Sequence, residues 1–249
     1  MSGLIACRQP GLRIPGTPRK LDIVRQGLVA EYRFDAGSGQ WLVDYSGNGN
    51  HGQLGSTPLS DVNDPSWTAQ GLSFVAASSQ YVDCGAFPTL GLGSFSVDLV
   101  VNSTSVAQFP LTNASGISMS GFGFVAGGSL AIPGTYQFRV NDGTHGQVSV
   151  NSSVVILGYV HVTGVVDRVT NMIYLYINGN LIGSISLTGI NLSLAGSQNI
   201  CFGKRGITYY TGQDNYCMIY NYLALTAAQV RQNHQALKQI LIPRGIFLS

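Results

Sequence analysis

Charge is scarce in this chain. Of 249 residues only 10% are Asp, Glu, Lys or Arg, where roughly 25% is usual for a soluble domain. Ser, Thr, Asn and Gln must supply the surface polarity instead, a composition often met in extracellular or particle-borne β proteins. Glutamate is almost absent, Glu31 being the single one, which removes the usual pair of Glu residues that cleaves glycosidic bonds. Aspartates offer no obvious replacement, because Asp61 and Asp64 lie in a Pro-containing loop while Asp98, Asp142 and Asp167 stand singly. There is no H-E-x-x-H, no G-x-S-x-G elbow and no P-loop, and the histidines are only His51, His145, His161 and His234. The chain reads as a non-enzyme, with a divergent hydrolase built on Asp residues as the remaining catalytic alternative.

Other absences narrow the field further. The four cysteines, Cys7, Cys84, Cys201 and Cys217, form no C-x-x-C pair and have no His at metal-ligand spacing, so a zinc site is not expected. Buried free thiols and a Cys201–Cys217 bridge are the two readings of the strand-borne cysteines. No apolar run approaches the ~20 residues that cross a bilayer, so no membrane insertion is expected. Met1 to Pro10 holds too short an apolar stretch, interrupted by Arg8, to serve as a signal peptide. The sequons at Asn102, Asn113, Asn151 and Asn191 therefore read as chance in a Ser- and Asn-rich chain.

What the chain has in quantity is turn chemistry and alternation. Thirty-two glycines without a collagen-like period point to many tight turns. Leu28 to Phe34 alternates like a strand and is followed by Gly37, Gly39, Gly47 and Gly49. The stretch YVHVTGVVDRVTNMIYLYINGNLIGSISL alternates with period two on both sides of Asn178-Gly179, the strongest short-range hairpin signal. A hydrophobic fraction of 45% is ample for one large core, and one domain is the expected count.

Five segments in order resemble the laminin G-like members of the concanavalin A-like lectin/glucanase superfamily. They are the strand Leu28 to Asp35 leading into the turn Asp44, Ser46, Gly47, Asn48, Asn50, His51 and Gly52, taken together as one segment, and the motif Gly71 to Gly85. The strand Ser94 to Val101, the hairpin Tyr159 to Ile185 and the segment Gly212 to Leu225 complete the pattern. The departures are Asn215 where the family usually has Glu, Cys217 and Met218 in place of Val-Arg, and a segment Ala107 to Ser153 that matches nothing in detail. The resemblance implies an all-β fold, a concanavalin A-like antiparallel β-sandwich (jelly roll) with one short C-terminal helix. Relatives of this kind often hold Ca²⁺ through carboxylate, amide and backbone oxygens. The resemblance thus implies a calcium set of Asp44, Asn48, Asn50 and Asp214, against which stands the reading that these Asx and Gly residues build a tight turn.

The ends of the chain differ from the middle. Residues 1–27 carry Arg8, Arg13, Arg19, Lys20 and Arg25 against Asp22 alone, a net +4; with +2 for the whole chain, residues 28–249 are left at −2. This segment reads as an extended basic arm before a jelly-roll domain at 28–242 and a tail at 243–249. No aromatics interleave with its arginines, so nucleic acid is not the expected partner. Thr226 and Gln229 make a capping box, and Val230, His234, Leu237 and Leu241 fall at helical spacing until Pro243. His234 is expected to be a core-edge histidine, and the tail after Pro243 either to pack back on the sandwich, the default, or to insert into a partner.

Trp41, Trp67, Tyr209 and Tyr210 stand in loop-like sequence, where aromatic rings could stack on sugars beside hydroxyl-binding Asn and Asp. Filling of the sandwich ends and closing of a hairpin are the alternatives for the same residues. Together with the arm and tail, these features resemble laminin G-like domains on bacteriophage particles. The leading expectation is a virion structural or decoration protein. Its Met1–Gly27 arm and C-terminal tail would hold other virion subunits, while the jelly roll meets host-surface polysaccharide. A carbohydrate-binding module with no particle attached is the second expectation.

Overall fold

The computed structural model describes residues 22–87, 90–103, 106–116, 118–127, 132–153 and 155–249. Strands β1 (Leu28–Tyr32), β2 (Trp41–Leu42), β3 (Gly52–Leu54), β4 (Ser66–Trp67), β5 (Leu72–Phe74) and β6 (Val82–Asp83) come first. The middle of the chain supplies β7 (Phe95–Asn102), β8 (Leu111–Thr112), β9 (Gly121–Ala126), β10 (Tyr136–Asn141) and β11 (Gln147–Asn151). Then follow β12 (Tyr159–Asp167), β13 (Met172–Ile177), β14 (Asn180–Ser186), β15 (Cys201–Phe202), β16 (Lys204–Arg205), β17 (Thr208–Tyr209), β18 (Gly212–Asn221) and the helix α1 (Ala227–Leu241).

Two antiparallel sheets stack face to face. The first runs β14-β13-β12-β7-β18-β5-β4, with β1 also paired to β18; the second runs β11-β10-β9-β8-β15-β6-β3-β2. Period-two alternation places Phe74, Phe95, Val97, Leu99 and Ile219 of the first sheet against Leu111, Phe122, Phe124, Phe138 and Phe202 of the second in one core. At Gly164 on β12 the layers approach closely, for a Cβ there would stand 2.4 Å from the Phe138 ring. Asn178 and Gly179 turn β13 into β14 with φ of 49° and 78°, the paired positive φ of a type I′ hairpin. The segment without sequence precedent folds as β8 to β11, half of the second sheet.

The outer face of the first sheet is covered. Helix α1 begins at Thr226, whose hydroxyl accepts from the Gln229 N–H while the Gln229 side chain accepts from the Thr226 N–H. Its Val230, Ala236, Leu237 and Leu241 pack on Val100, Val165, Tyr216, Met218 and Tyr220. Ile246 and Leu248, both at most 5% exposed, show that the tail lies back on this layer. Beneath the helix, Asp98 accepts from Asn233 Nδ2 at 2.6 Å, pairs with His161 Nε2 at 3.0 Å and receives the Thr163 hydroxyl. The rings of His161 and His234 stack at 5.5 Å. Asn233 Oδ1 also accepts from the Val24 N–H, so residues 22–25 belong to the folded body. Ile23 and Val24 are buried, and the domain therefore starts before the boundary at 28 read from sequence. The rest of the basic arm, residues 1–21, lies outside the described residues.

The cysteine bridge does not form. Cys201 points outward from the second sheet, paired in register with Asp83 and Thr112, whereas Cys217 faces the core from the first. Cys84, Cys201 and Cys217 are free and buried, and Cys7 lies outside the described residues. No helix among the described residues is long and apolar enough to cross a membrane.

Candidate functional site

The outer face of the second sheet carries no helix. Strand register aligns one outward row across it: Trp41, Gln53, Asp83, Cys201, Thr112, Gly123, Arg139 and Ser149. The inward neighbours of these positions, among them Leu54, Val82, Phe202, Leu111 and Phe138, lie in the core, which fixes the row as outward. Its middle is shielded near the β16–β17 ribbon, while Gln53, Asp83, Arg139 and Ser149 remain half-buried and Trp41 is 50% exposed.

A cleft of about 500 Å³ opens beside the Trp41 end, with Gln40, Asp61, Asp64, Trp67 and Gln80 in its walls. Trp67 is half-buried and its indole N–H donates to Gly39 O at 2.8 Å, which fixes the ring. Asp61 is consumed by its own loop, since Oδ1 accepts from the Asn63 N–H and Oδ2 from the Ser56 and Thr57 hydroxyls. Asp64 Oδ2 accepts from the Asp61 N–H. By contrast, Asp64 Oδ1 and Gln40 Oε1 are buried with no partner. Two unsatisfied acceptors beside a fixed indole suit a ligand rich in hydroxyl donors.

The other sequence candidates fall in different places. Tyr209 is half-buried on β17, 6.4 Å from the Tyr81 ring, which also carries Lys204 Nζ at 4.0 Å. Tyr210 is a correction: alternation turns it inward, fully buried against Phe74, so it has no free face for a sugar. Asp44, Asn48 and Asn50 share one turn. Both Asp44 oxygens are occupied by donors, namely the N–H groups of Glu31, Ser46 and Asn50 and the Ser46 hydroxyl. The amide nitrogens of Asn48 and Asn50 donate to Leu28 O and Val29 O. Asp214 is not among them. It sits fully buried on β18, both oxygens unpartnered, near the buried phenols of Tyr136 and Tyr210. Burial pushes its pKa well above the usual value. The four residues therefore do not fit a shared calcium ion, and no cluster of three or more His, Cys, Asp or Glu gathers among the described residues.

Glu31, the only glutamate, is fully buried on the covered side. Burial raises its pKa, but hydrogen bonds from Tyr216, Arg33 and Arg25 outweigh this and hold it low. Its contacts with two guanidiniums make it a cross-link between the 22–25 segment and β1.

A family model of the concanavalin A-like lectin/glucanases superfamily, its laminin G-like branch, matches residues 76–231. The chain belongs to this superfamily. No curated protein matches the sequence. Solved structures of the same fold include the binding domain of Paraclostridial Mosquitocidal Protein 1 (TM-score 0.58, 14% identity, 84% of this chain and 52% of that one). The binding domain of botulinum neurotoxin DC in complex with rat synaptotagmin II gives 0.57 at 17% identity, over 86% and 52%. The same toxin's binding domain in complex with SialylT gives 0.56 at 15%, again over 86% and 52%. Identities this low establish a shared sandwich and no more, and the chain spans about half the length of those binding domains.

The superfamily match thus agrees with the lectin-like fold read from sequence. Sequence reasoning missed Gln40, Asp64 and Gln80 as cleft walls and Phe109, Arg139 and Arg205 on the open face. The signal available for the first group was Asp61-x-x-Asp64 followed by Pro65-x-Trp67; for the second there was none, because partners far apart in sequence create it.

Proposed function

We propose that this chain is a non-enzymatic glycan-recognition domain that binds along the open face of its second sheet, anchored at the Trp41/Trp67 end. The observation that carries the reading is the cleft beside Trp67, where Gln40 Oε1 and Asp64 Oδ1 are buried and unpartnered. Sugar hydroxyls would donate to these oxygens and a ring face would stack on an indole. Support for the absence of catalysis is that the acids come singly or already engaged. Asp61 is the one other acid in the cleft wall and is tied into its loop, while Glu31 is ion-paired and Asp98 is sealed under the helix, so within the cleft Asp64 has no free carboxylate to pair with as acid and base. Structural neighbours that are toxin binding domains, one in complex with SialylT, favour the same class of ligand.

The finer part of the proposal is display on a bacteriophage virion, with the basic arm held by another virion subunit and the open sheet turned toward host polysaccharide. It rests on arm composition and low charge. The packed tail is spoken for, since Ile246 and Leu248 are buried within this chain, so attachment falls to the arm.

The first test is a glycan array on the purified chain, in calcium and then in chelator. Binding to one sugar class that Trp41→Ala or Gln40→Ala weakens at least fivefold is the expected result. A folded protein that binds no glycan in either condition would overturn the reading. Attachment is tested by deleting residues 1–21 and leaving Ile23 and Val24 in place. The truncated chain should fold and fail to join its particle.

A further inference from the structure

Six strand steps along the open face from Trp41, ~29 Å at the usual spacing between strands, stands a feature that the Trp end does not explain. Arg139 on β10 and Arg205 on β16 both lay their guanidinium groups over the ring of Phe109, at 4.2 and 3.9 Å from its centroid. Phe109 is 3% exposed. Cation–π contact accounts for one guanidinium over an aromatic face, but two on one ring bring like charges together. None of the chain's eleven acidic residues neutralises them, for the ion pairs of the described residues involve Arg25, Arg33, His145 and His161. Arg139 Nη2 is buried without an acceptor. Burial, with Arg205 beside it, pulls the Arg139 pKa down to about 9, and burial lowers that of Arg205 as well. Both remain cations at neutral pH. A protein that held these groups for packing alone would do better with neutral side chains.

The surroundings decide what kind of anion fits. In register with Arg139 lie Gly123 on one side and Ser149 on the other. Two residues along the strand in each direction are the outward amides Gln137 and Asn141, and Gln137 Nε2 already bridges Ser149 Oγ and Asn151 Oδ1. Beyond Asn141 a small hollow of about 240 Å³ is lined by Ser118, Thr144 and Gln147 together with Gly143 and Gly146. Hydroxyls and amides in this density match a sugar better than an acyl chain or a stacked base, and a planar guanidinium fork matches a carboxylate bidentately.

We propose that Arg139 and Arg205 form an anion subsite for the carboxylate of an acidic sugar, so that the ligand of the open face is a uronate-bearing polysaccharide. This rests on the glycan-recognition reading above and adds to it the charge of the ligand. The carboxylate would supply the acceptor that Arg139 Nη2 lacks and relieve the repulsion between the two cations.

The test is affinity for alginate oligosaccharides, a polyuronate, beside neutral dextran, at 50 and 300 mM salt, approximate settings that bracket strong and weak screening. Alginate should bind and weaken with salt. Arg139→Gln and Arg205→Gln should each cost at least tenfold in alginate affinity, with Arg139→Lys intermediate. The melting temperature of Arg139→Gln should not fall, because an unpaired buried charge has gone. Arg205 is more exposed, so its variant reports even if Arg139→Gln fails to fold. Alginate affinity unchanged in both variants, or melting temperatures lowered in both with binding intact, would overturn the subsite and mark the pair as packing. Binding of neutral glycan alone would also overturn it while leaving the broader reading standing. Loss of all glycan binding sinks both. Phosphatidylserine vesicles and single-stranded DNA serve as the competing anions, and Arg139-dependent binding to either without alginate binding would replace the uronate assignment.

Discussion

On the outer face of the first sheet, Asp98, His161 and Thr163 stand on β7 and β12 and are all buried; on that of the second, Gln53, Asp83, Arg139 and Ser149 stand in register and stay half exposed. Both sets are polar residues at outward strand positions. Helix α1 and the 246–249 tail make the difference, since they cover one face and tie Asp98, His161, Thr163 and Asn233 into a buried network, in which only His161 Nδ1 and His234 Nδ1 lack a partner among its side chains. The uncovered face keeps unpartnered groups at both ends, Gln40 and Asp64 near the tryptophans and Arg139 at the far side. A buried polar group without a partner costs stability, so its retention on an open face points to a ligand, whereas the same group under a helix points to architecture.

The sharpest way to break the comparison is to remove the centre of the sealed network. Asp98→Ala leaves His161 Nε2, the Thr163 hydroxyl and Asn233 Nδ2 short of an acceptor and should cost about 3 kcal/mol in chemical denaturation. A loss below 1 kcal/mol would mean that the helix holds by its apolar contacts alone.

Acid should act on the same layer with a somewhat smaller effect. Burial, then the neighbouring His161, lowers the His234 pKa from 6.5 to about 4, so the folded state takes up this proton less readily than the unfolded chain. The stability that His234 contributes is therefore full above pH 6.5 and is lost as pH falls toward 4. The full shift would be worth about 3 kcal/mol, and solvent screening at this core-edge site reduces it to about 2 kcal/mol. Asp98 faces the pair from β7, and Lys238 lies on the same helix. The protection of α1 amides relative to their intrinsic exchange rates should fall on acidification from pH 7 to 4.5, and His234→Gln should flatten that response. Unchanged protection in the wild type would locate the weak point elsewhere.

Between the two faces lies Asp214, and here the sign reverses. Its folded pKa is raised well above 3.8 by burial, so the stability tied to it is fully present below about pH 4 and is lost as pH rises from there. Asp214→Asn keeps the shape without the charge. We expect a gain of about 1 kcal/mol at pH 7 that vanishes near pH 4, measured by urea titration at the two pH values. A destabilised Asn variant at pH 7 would show that the carboxyl is used within the core.

How much of this could be read beforehand depended on the range of the interaction. Leu28 to Phe34, the Asn178-Gly179 turn, β18 and the capping box of α1 carry local signals of period and turn chemistry, and all are present in the fold. The β8–β11 segment lacked a motif, and its strands are set by pairing with partners and by core contacts across the sandwich. Adjacent residues Tyr209 and Tyr210 look alike in sequence, yet alternation sends one to the surface and one to the core. The turn at Asp44 was legible as a turn, whereas the distance of Asp214 from it depends on how β18 crosses the sheet. Arg139 and Arg205 are 66 positions apart and meet only because β10 and the β16 ribbon converge on Phe109.

Trp41 provides the smallest effect on stability and the finest discrimination between the faces. Its ring is half exposed on edge strand β2, so Trp41→Ala should move the unfolding free energy by no more than about 0.5 kcal/mol while reducing glycan affinity. Val230→Ala, with a side chain buried under α1, should do the opposite. It opens a cavity on the sealed face and lowers stability by 1–3 kcal/mol, roughly, without touching binding. Denaturation and glycan titration on both variants would reveal this crossed pattern. If Trp41→Ala instead destabilised the domain as much as Val230→Ala does, the indole would be part of the sandwich edge and the cleft beside Trp67 would have to bind without it.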